Sequence, residues 1–200
     1  GDAVVKNHIY GLFNVYNLLA TAGVLFSKGY LVADIANRLS GLAPINGRLS
    51  IVSVPEQPTV VIDYAHTPDA LEQALTTLKQ HFSSKVWCVF GCGGDRDKAK
   101  RPLMGQVAQR LANHVVVTSD NPRNESPAQI INEIVAAMDA SKVIVKEDRR
   151  EAIEYALANA SVEDIVLIAG KGHETYQQIG DIRTDFNDAV IAKEILEMKR

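Results

Sequence analysis

The sequence predicts an α/β fold built on an open, mainly parallel sheet with helices on both faces. Three observations carry that expectation. From about Val60 onward, short β-rich runs alternate with helical patterns. Each run is almost wholly apolar, as strands covered on both faces must be. Four of the five runs also end in dense polar or glycine clusters, and a parallel sheet brings such ends to one edge.

The elements follow in order. Asn14 to Lys28 and Leu31 to Ser40 read as two helices separated by Gly29, followed by a strand from Arg48 to Val54 and a turn or linker over Pro55 to Pro58. This stretch differs in pattern from the remainder and reads as the tail of another domain, with the boundary after Val54. The parallel strands are expected at Val60 to Asp63, Val86 to Phe90, Val115 to Thr118, Val143 to Val145 and Ile165 to Ala169. Between them Leu71, Ala74, Leu75, Leu78 and Phe82 form one helical stripe, and Ile130, Ile131, Ile134, Val135 and Met138 another. Thr67 before Pro68 and Ser126 before Pro127 each place a capping hydroxyl ahead of a proline at the first helical position. Asn187 is positioned to cap a last helix, Ala189 to Met198.

Of the 200 residues 46% are hydrophobic and 22% charged, the balance of a globular protein. The net charge of -3 carries no basic stripe, so neither nucleic acid nor an acidic membrane surface is suggested as a partner. The apolar runs are too short to span a bilayer and no secretory leader opens the chain, which makes the cytoplasm the expected compartment. The start at Gly1-Asp2-Ala3, without an initiator methionine, suggests an excised fragment. Cys88 and Cys92 are too few for a disulfide framework, lack zinc-site spacing, and read as small buried apolar residues.

The strand ends carry the chemistry. They are Asp63-Tyr64-Ala65-His66, Gly91-Cys92-Gly93-Gly94-Asp95-Arg96, Asp120-Asn121-Pro122-Arg123 and Gly170-Lys171-Gly172-His173-Glu174. Each has a plain structural reading: Asp63 as a helix cap, His66 bonding a backbone carbonyl, the glycines as a tight turn, Lys171 and His173 as solvated loop residues, Glu174 as a helix start. Taken together, Arg96 and Arg123 supply two guanidinium forks while Asp120 and Glu174 supply anions for an ammonium group. The sum suits a zwitterionic ligand.

In this order, with Gly47-Arg48 ahead of them, the motifs resemble those of the Mur ligases of peptidoglycan synthesis, and within that family the type that adds meso-diaminopimelate. The resemblance covers essentially the whole chain. It implies the tail of a central ATPase domain over residues 1–54 and a Rossmann-like amino-acid-binding domain over 55–200. It further implies that ATP, with Mg²⁺, converts the glutamate side chain of UDP-MurNAc-L-Ala-D-Glu to an acyl phosphate, from which the incoming amine displaces phosphate. By motif match, Arg96, Asp120, Asn121, Arg123, Gly170 and Glu174 would hold meso-diaminopimelate, with Arg123 on the distal carboxylate that lysine lacks. Arg48 and Asp63 would contact ATP, Asn14 and Asn17 lie in the segment lining the adenine, and Tyr64 and His66 belong to the same nucleotide motif. The family's Gly-Lys-Thr phosphate loop, carbamylated lysine and UDP-binding domain do not occur in these 200 residues, so the chain alone is not expected to catalyse ligation. Ser50 stands where the family usually carries a glutamate.

Two other readings stand beside this one. A nucleotide- or amino-acid-binding regulatory module without chemistry of its own would fit the missing phosphate loop. A dinucleotide-dependent dehydrogenase would need a glycine fingerprint after its first strand, and Asp63-Tyr64-Ala65-His66 is not one.

Overall fold

The apolar runs leave no polar face for water, and the chain gathers them in a six-stranded sheet that buries all but the run Val143 to Val145, an edge strand whose Val145 is exposed. The computed structural model describes residues 1–7, 9–43 and 45–199. It resolves into two compact units, Gly1–Ile45 and Asn46–Arg200.

The first unit holds α1 (Leu12–Ser27) and α2 (Val32–Ser40). Gly29, at φ +86, supplies the left-handed residue that separates them. Helix α2 buries Ile35, Ala36 and Leu39. Helix α1 instead exposes Leu12, Val15, Tyr16, Leu19, Val24 and Phe26.

The second unit contains β1 (Ser50–Val52), β2 (Thr59–Asp63), β3 (Val86–Phe90), β4 (His114–Val117), β5 (Val143–Val145) and β6 (Ile165–Ala169), in the spatial order β1-β2-β6-β3-β4-β5. All neighbours run parallel except β1, which is antiparallel to β2 with Ser50 opposite Ile62. That pairing stitches β1 into the sheet, so the division between units falls at Ile45 and Asn46, ahead of the expected boundary at Val54. The strand expected from Arg48 begins only at Ser50, because Leu49 sits at φ +46, outside the extended region. The register sets Asp63 beside Ala169, Val89 beside Ile168, and Phe90 beside Val117. Four of the polar strand ends therefore lie side by side.

Helices cover both faces. On one side pack α3 (Pro68–His81), α4 (Lys100–Leu111) and α5 (Pro127–Val135); on the other pack α6 (Arg149–Asn159) and α7 (Asp188–Met198). The capping signals act as read: Thr67 accepts from the Ala70 N–H, Ser126 from Gln129, and Asn187 from Ala189 and Val190. Alternate strand residues Ile62, Trp87, Val89, Val116, Val166 and Ile168 pack against Ile153, Leu157, Ile191 and Leu196 in one apolar cluster. Cys88 and Cys92 are buried as expected, and burial pushes both thiols up to about 12.

A small hairpin, β7 (Tyr176–Ile179) and β8 (Ile182–Asp185), turned at Gly180, has no counterpart among the expected elements. β8 is exposed throughout and β7 is mostly half-buried, so neither shows alternation.

Arg149, at the start of α6, is wholly buried and paired with Asp188 at the start of α7 through two bonds of 2.9 and 2.8 Å. Its remaining N–H groups reach the carbonyls of Ser119 (3.2 Å) and Ala169 (3.0 Å). Replacing Arg149 by Ala strands a buried carboxylate and two carbonyls, so denaturant unfolding should show a loss of roughly 3–5 kcal/mol. A loss below about 1 kcal/mol would contradict a structural role for these bonds.

Candidate functional site

The site is assembled at the carboxyl edge of the sheet, where β3, β4 and β6 release their chains. The glycine run after β3 exists for close approach. A Cβ at Gly91 would run into the carbonyl oxygen of Thr118, and one at Gly94 into that of Pro122. The Gly94 N–H donates to Asn121 O at 2.9 Å, so this loop is packed against its neighbour rather than opened as a phosphate cradle.

The loop after β4 is tightly determined. Asp120 Oδ1 accepts from the Asn121 N–H at 2.7 Å. Asn121 is buried; its Oδ1 accepts from Lys171 Nζ (3.0 Å) and the Gln178 N–H (2.9 Å), and its Nδ2 donates to Glu174 Oε2 at 2.8 Å. Lys171 Nζ also reaches Glu174 Oε2 at 3.2 Å and lies 5.6 Å from the centre of the Tyr176 ring. Lys171 is thus no solvated loop residue but a buried, paired cation, and Glu174 starts no helix. Arg123 holds φ +49, a left-handed conformation at a non-glycine residue, and its Nη1 donates to Gly94 O at 2.9 Å.

These groups surround one cavity of about 520 Å³. All six residues expected to hold an amino acid, Arg96, Asp120, Asn121, Arg123, Gly170 and Glu174, line it, together with Tyr64, His66, Asp97, Lys100 and Tyr176. The basic lining (Arg96, Lys100, Arg123) and the acidic lining (Asp97, Asp120, Glu174) balance in number. Such a wall offers partners for both carboxylate and ammonium groups.

The residues expected to meet a nucleotide divide. Tyr64 and His66 line the cavity, with ring centroids 4.6 Å apart, and Arg48 stacks over Tyr64 at 5.0 Å. The His66 ring makes the backbone bond allowed for it, Nδ1 to Tyr64 O at 2.8 Å. Asp63 is not the cap of α3, a task Thr67 performs. Its carboxylate accepts from the N–H groups of Leu49 and Ala65, both at 2.8 Å, and burial pushes its pKa up against those bonds and the Arg48 charge. Ser50 Oγ accepts from the Gly47 N–H at 2.6 Å, so the hydroxyl closes the turn that carries Arg48. Asn14 and Asn17 belong to the other unit, one helical turn apart on α1, where Asn17 Nδ2 donates to Asn14 Oδ1 at 3.3 Å. Among the described residues no group of three or more His, Cys, Asp or Glu is arranged to hold a metal ion.

Several contributors escaped the sequence reading. Arg101, fully buried on α4, makes paired bonds of 2.9 Å to Glu125, another of 2.6 Å to Glu133 and one of 3.4 Å to Gly93 O. Gln177 and Gln178 reach the loop after β4 from a hairpin that was not foreseen. Nothing in the spacing of these residues singles them out, although an arginine on an otherwise apolar helix face is a legible anomaly.

An open α/β sheet with a charge-balanced cavity at its carboxyl edge has counterparts among known proteins. Residues 47–172 match the model of the Mur ligase glutamate ligase domain. The chain belongs to the Mur ligase family. It is 46% identical, over 100% of its length, to the UDP-N-acetylmuramoyl-L-alanyl-D-glutamate--2,6-diaminopimelate ligase of Geobacillus thermodenitrificans (strain NG80-2), and it covers 41% of that protein. A solved structure of a ligase with the same description is 43% identical, with a TM-score of 0.75 over 100% of this chain and 41% of that one. The UDP-N-acetylmuramate-alanine ligase MurC of Thermotoga maritima shares the fold at 24% identity, with a TM-score of 0.67 over 98% of this chain and 39% of its own. The chain thus spans about two fifths of the relatives it matches. Membership favours the ligase reading over a regulatory module.

The Arg101 fork, with the Asp95 N–H and Lys98 beside it, pulls the Glu125 carboxyl from its ordinary value of 4.5 down to about 2. A carboxyl lowered in the folded state stabilises fully above its unfolded pKa and loses that contribution as the pH falls through the folded one. Melting temperature should therefore fall between pH 4.5 and about 2, and Glu125→Gln should flatten that part of the profile. An identical slope in the variant would count against the pairing.

Proposed function

We propose that this chain is the C-terminal part of an ATP-dependent ligase that adds meso-diaminopimelate to UDP-MurNAc-L-Ala-D-Glu in peptidoglycan synthesis. The observation that carries the reading is the gathering of Arg96, Asp120, Asn121, Arg123, Gly170 and Glu174 around one charge-balanced cavity. meso-Diaminopimelate bears two carboxylates and two ammonium groups, which such a wall can pair in full.

Unit 2 would present the amino acid. With Nη1 anchored on Gly94 O, Arg123 would turn the rest of its fork to the distal carboxylate, which lysine does not have. Asp120 and Glu174 would hold ammonium groups; the second oxygen of Glu174 is already shared by Lys171 and Asn121, which keeps the carboxylate in one orientation. Holding the amine in place converts a bimolecular encounter into a local one.

Arg48, Asp63, Tyr64 and His66 of unit 2 would serve the nucleotide. The Arg48 guanidinium over Tyr64 is of a kind that meets phosphate, and the Tyr64 and His66 rings offer faces to a base or ribose. ATP with Mg²⁺, when bound, supplies the phosphoryl group that activates the acceptor carboxylate and the charge that offsets its oxygens. The described residues offer no metal cluster of their own, so Mg²⁺ would come with the phosphates and with groups outside this chain. Unit 1, with its exposed apolar residues on α1, would complete an upstream ATP-binding domain. Without a Gly-Lys-Thr loop the 200 residues alone would be inactive, and the enzyme would work in the cytoplasm, where its nucleotide substrates are. No helix among the described residues is long and apolar enough to cross a membrane.

Calorimetric titration should show preference for meso-diaminopimelate over L-lysine, and equal affinities would sink the assignment. Arg123→Ala in the full-length polypeptide should cost on the order of 2–4 kcal/mol in amino-acid binding, because its partner carboxylate is left unpaired. An unchanged KM for meso-diaminopimelate would argue the same way against it.

A further inference from the structure

Arg123 stands in a backbone conformation that costs a non-glycine residue energy, so something must hold it there. The holder is visible. Across the four-residue loop Asp120 to Arg123, four hydrogen bonds come from the β7 strand and the turn that follows it. Gln177 Nε2 donates to Asp120 O at 2.8 Å, the Gln178 N–H to Asn121 Oδ1 at 2.9 Å, the Arg123 N–H to Gln178 O at 3.1 Å, and the Gly180 N–H to Arg123 O at 2.7 Å. The last two bonds form a parallel bridge between Arg123 and Ile179. The hairpin thus pairs with the loop as a short extra strand would, and grips the Arg123 backbone on both its N–H and its carbonyl.

We propose that the β7–β8 hairpin is a specificity clamp of the amino-acid site: it holds Arg123 in its left-handed conformation and so sets discrimination for a second carboxylate on the ligand. Its clamping residues, Gln177, Gln178 and Gly180, are positioning residues that act through Asp120, Asn121 and Arg123. The inference rests on the amino-acid reading given above but goes beyond it, since the hairpin lies past residue 172, where the family match ends. The loop it clamps lies inside that match. The clamp has little packing of its own: β8 is exposed throughout, and Ile179 and Ile182 are solvent-facing. An element that is mostly exposed yet makes four bonds to one loop spends its bonding on that loop.

Two variants test this in the full-length polypeptide, assayed for phosphate release with meso-diaminopimelate and with L-lysine. Gln177→Leu removes the bond to Asp120 O at similar size, and Gly180→Pro removes the N–H that Arg123 O accepts. Each should raise KM for meso-diaminopimelate on the order of tenfold and lower selectivity over lysine, with KM for ATP and for the nucleotide-sugar substrate unchanged. Asp181→Asn, at the exposed turn, should behave as the parent. Where Gly180→Pro also lowers the melting temperature, Gln177→Leu decides. A KM for meso-diaminopimelate within about twofold of the parent in Gln177→Leu overturns the clamp, as does an equal loss for all three substrates. A parent that itself shows no preference for meso-diaminopimelate overturns the amino-acid reading and the clamp with it; a parent that shows it alongside selective variants removes the clamp alone.

Discussion

The buried Arg149–Asp188 pair is the constraint on which the site depends. A guanidinium with no exposed surface is costly unless its N–H groups find partners, and here they are divided between a carboxylate on α7 and the carbonyls of Ser119 and Ala169. Those carbonyls belong to the residues immediately before Asp120 and Gly170. One side chain therefore ties α6 and α7 to the ends of β4 and β6, at the point where both strands hand over to the ligand loops. A buried ion pair is a poor source of net stability, but its geometry is demanding, and that demand fixes where the loops begin.

A second buried arginine does comparable work on the other face. Arg101 joins α4 to Glu125 and Glu133 and reaches Gly93 O, so the glycine loop and the segment following Arg123 are both tied to the helix. Between these two supports lies the cavity. Its wall is charged, yet two of the lining charges are already paired within the protein: Glu174 with the buried Lys171 and with Asn121, and Arg123 with Gly94 O. Such pre-pairing limits the reorganisation that a ligand must induce, at the cost of part of each group's bonding capacity.

Much of the fold was legible because it obeys simple rules. Fully apolar runs of five residues between capped helical stripes can only be covered strands, and Thr67-Pro68, Ser126-Pro127 and Asn187 mark helix starts by local chemistry alone. Candidate site residues could be picked out for a related reason: polar clusters after apolar strands have one edge on which to meet. What escaped was held together by distant partners. The hairpin is largely polar and is joined to the rest of the unit by its bonds to the 120–123 loop, and β1 joins the sheet because Asp63 grips Leu49 and β2 offers its edge. Lys171 looked like a loop cation because no local pattern tells a lysine that its amine will find Asn121, fifty positions away, or that a tyrosine ring will lie nearby.

The sequence by itself determined the class of fold, the strand ends that carry polar groups, and, through ordered motifs, the family. These are properties of local composition and spacing, which act within a few residues. Tertiary structure alone decided that six named residues share one cavity, that the glycine run is a packing surface, that Arg123 stands left-handed under a hairpin, and that two arginines with no exposed surface hold the loops. Each of those outcomes depends on contacts between segments far apart in the chain, and only the closed set of hydrogen bonds in the folded molecule selects them.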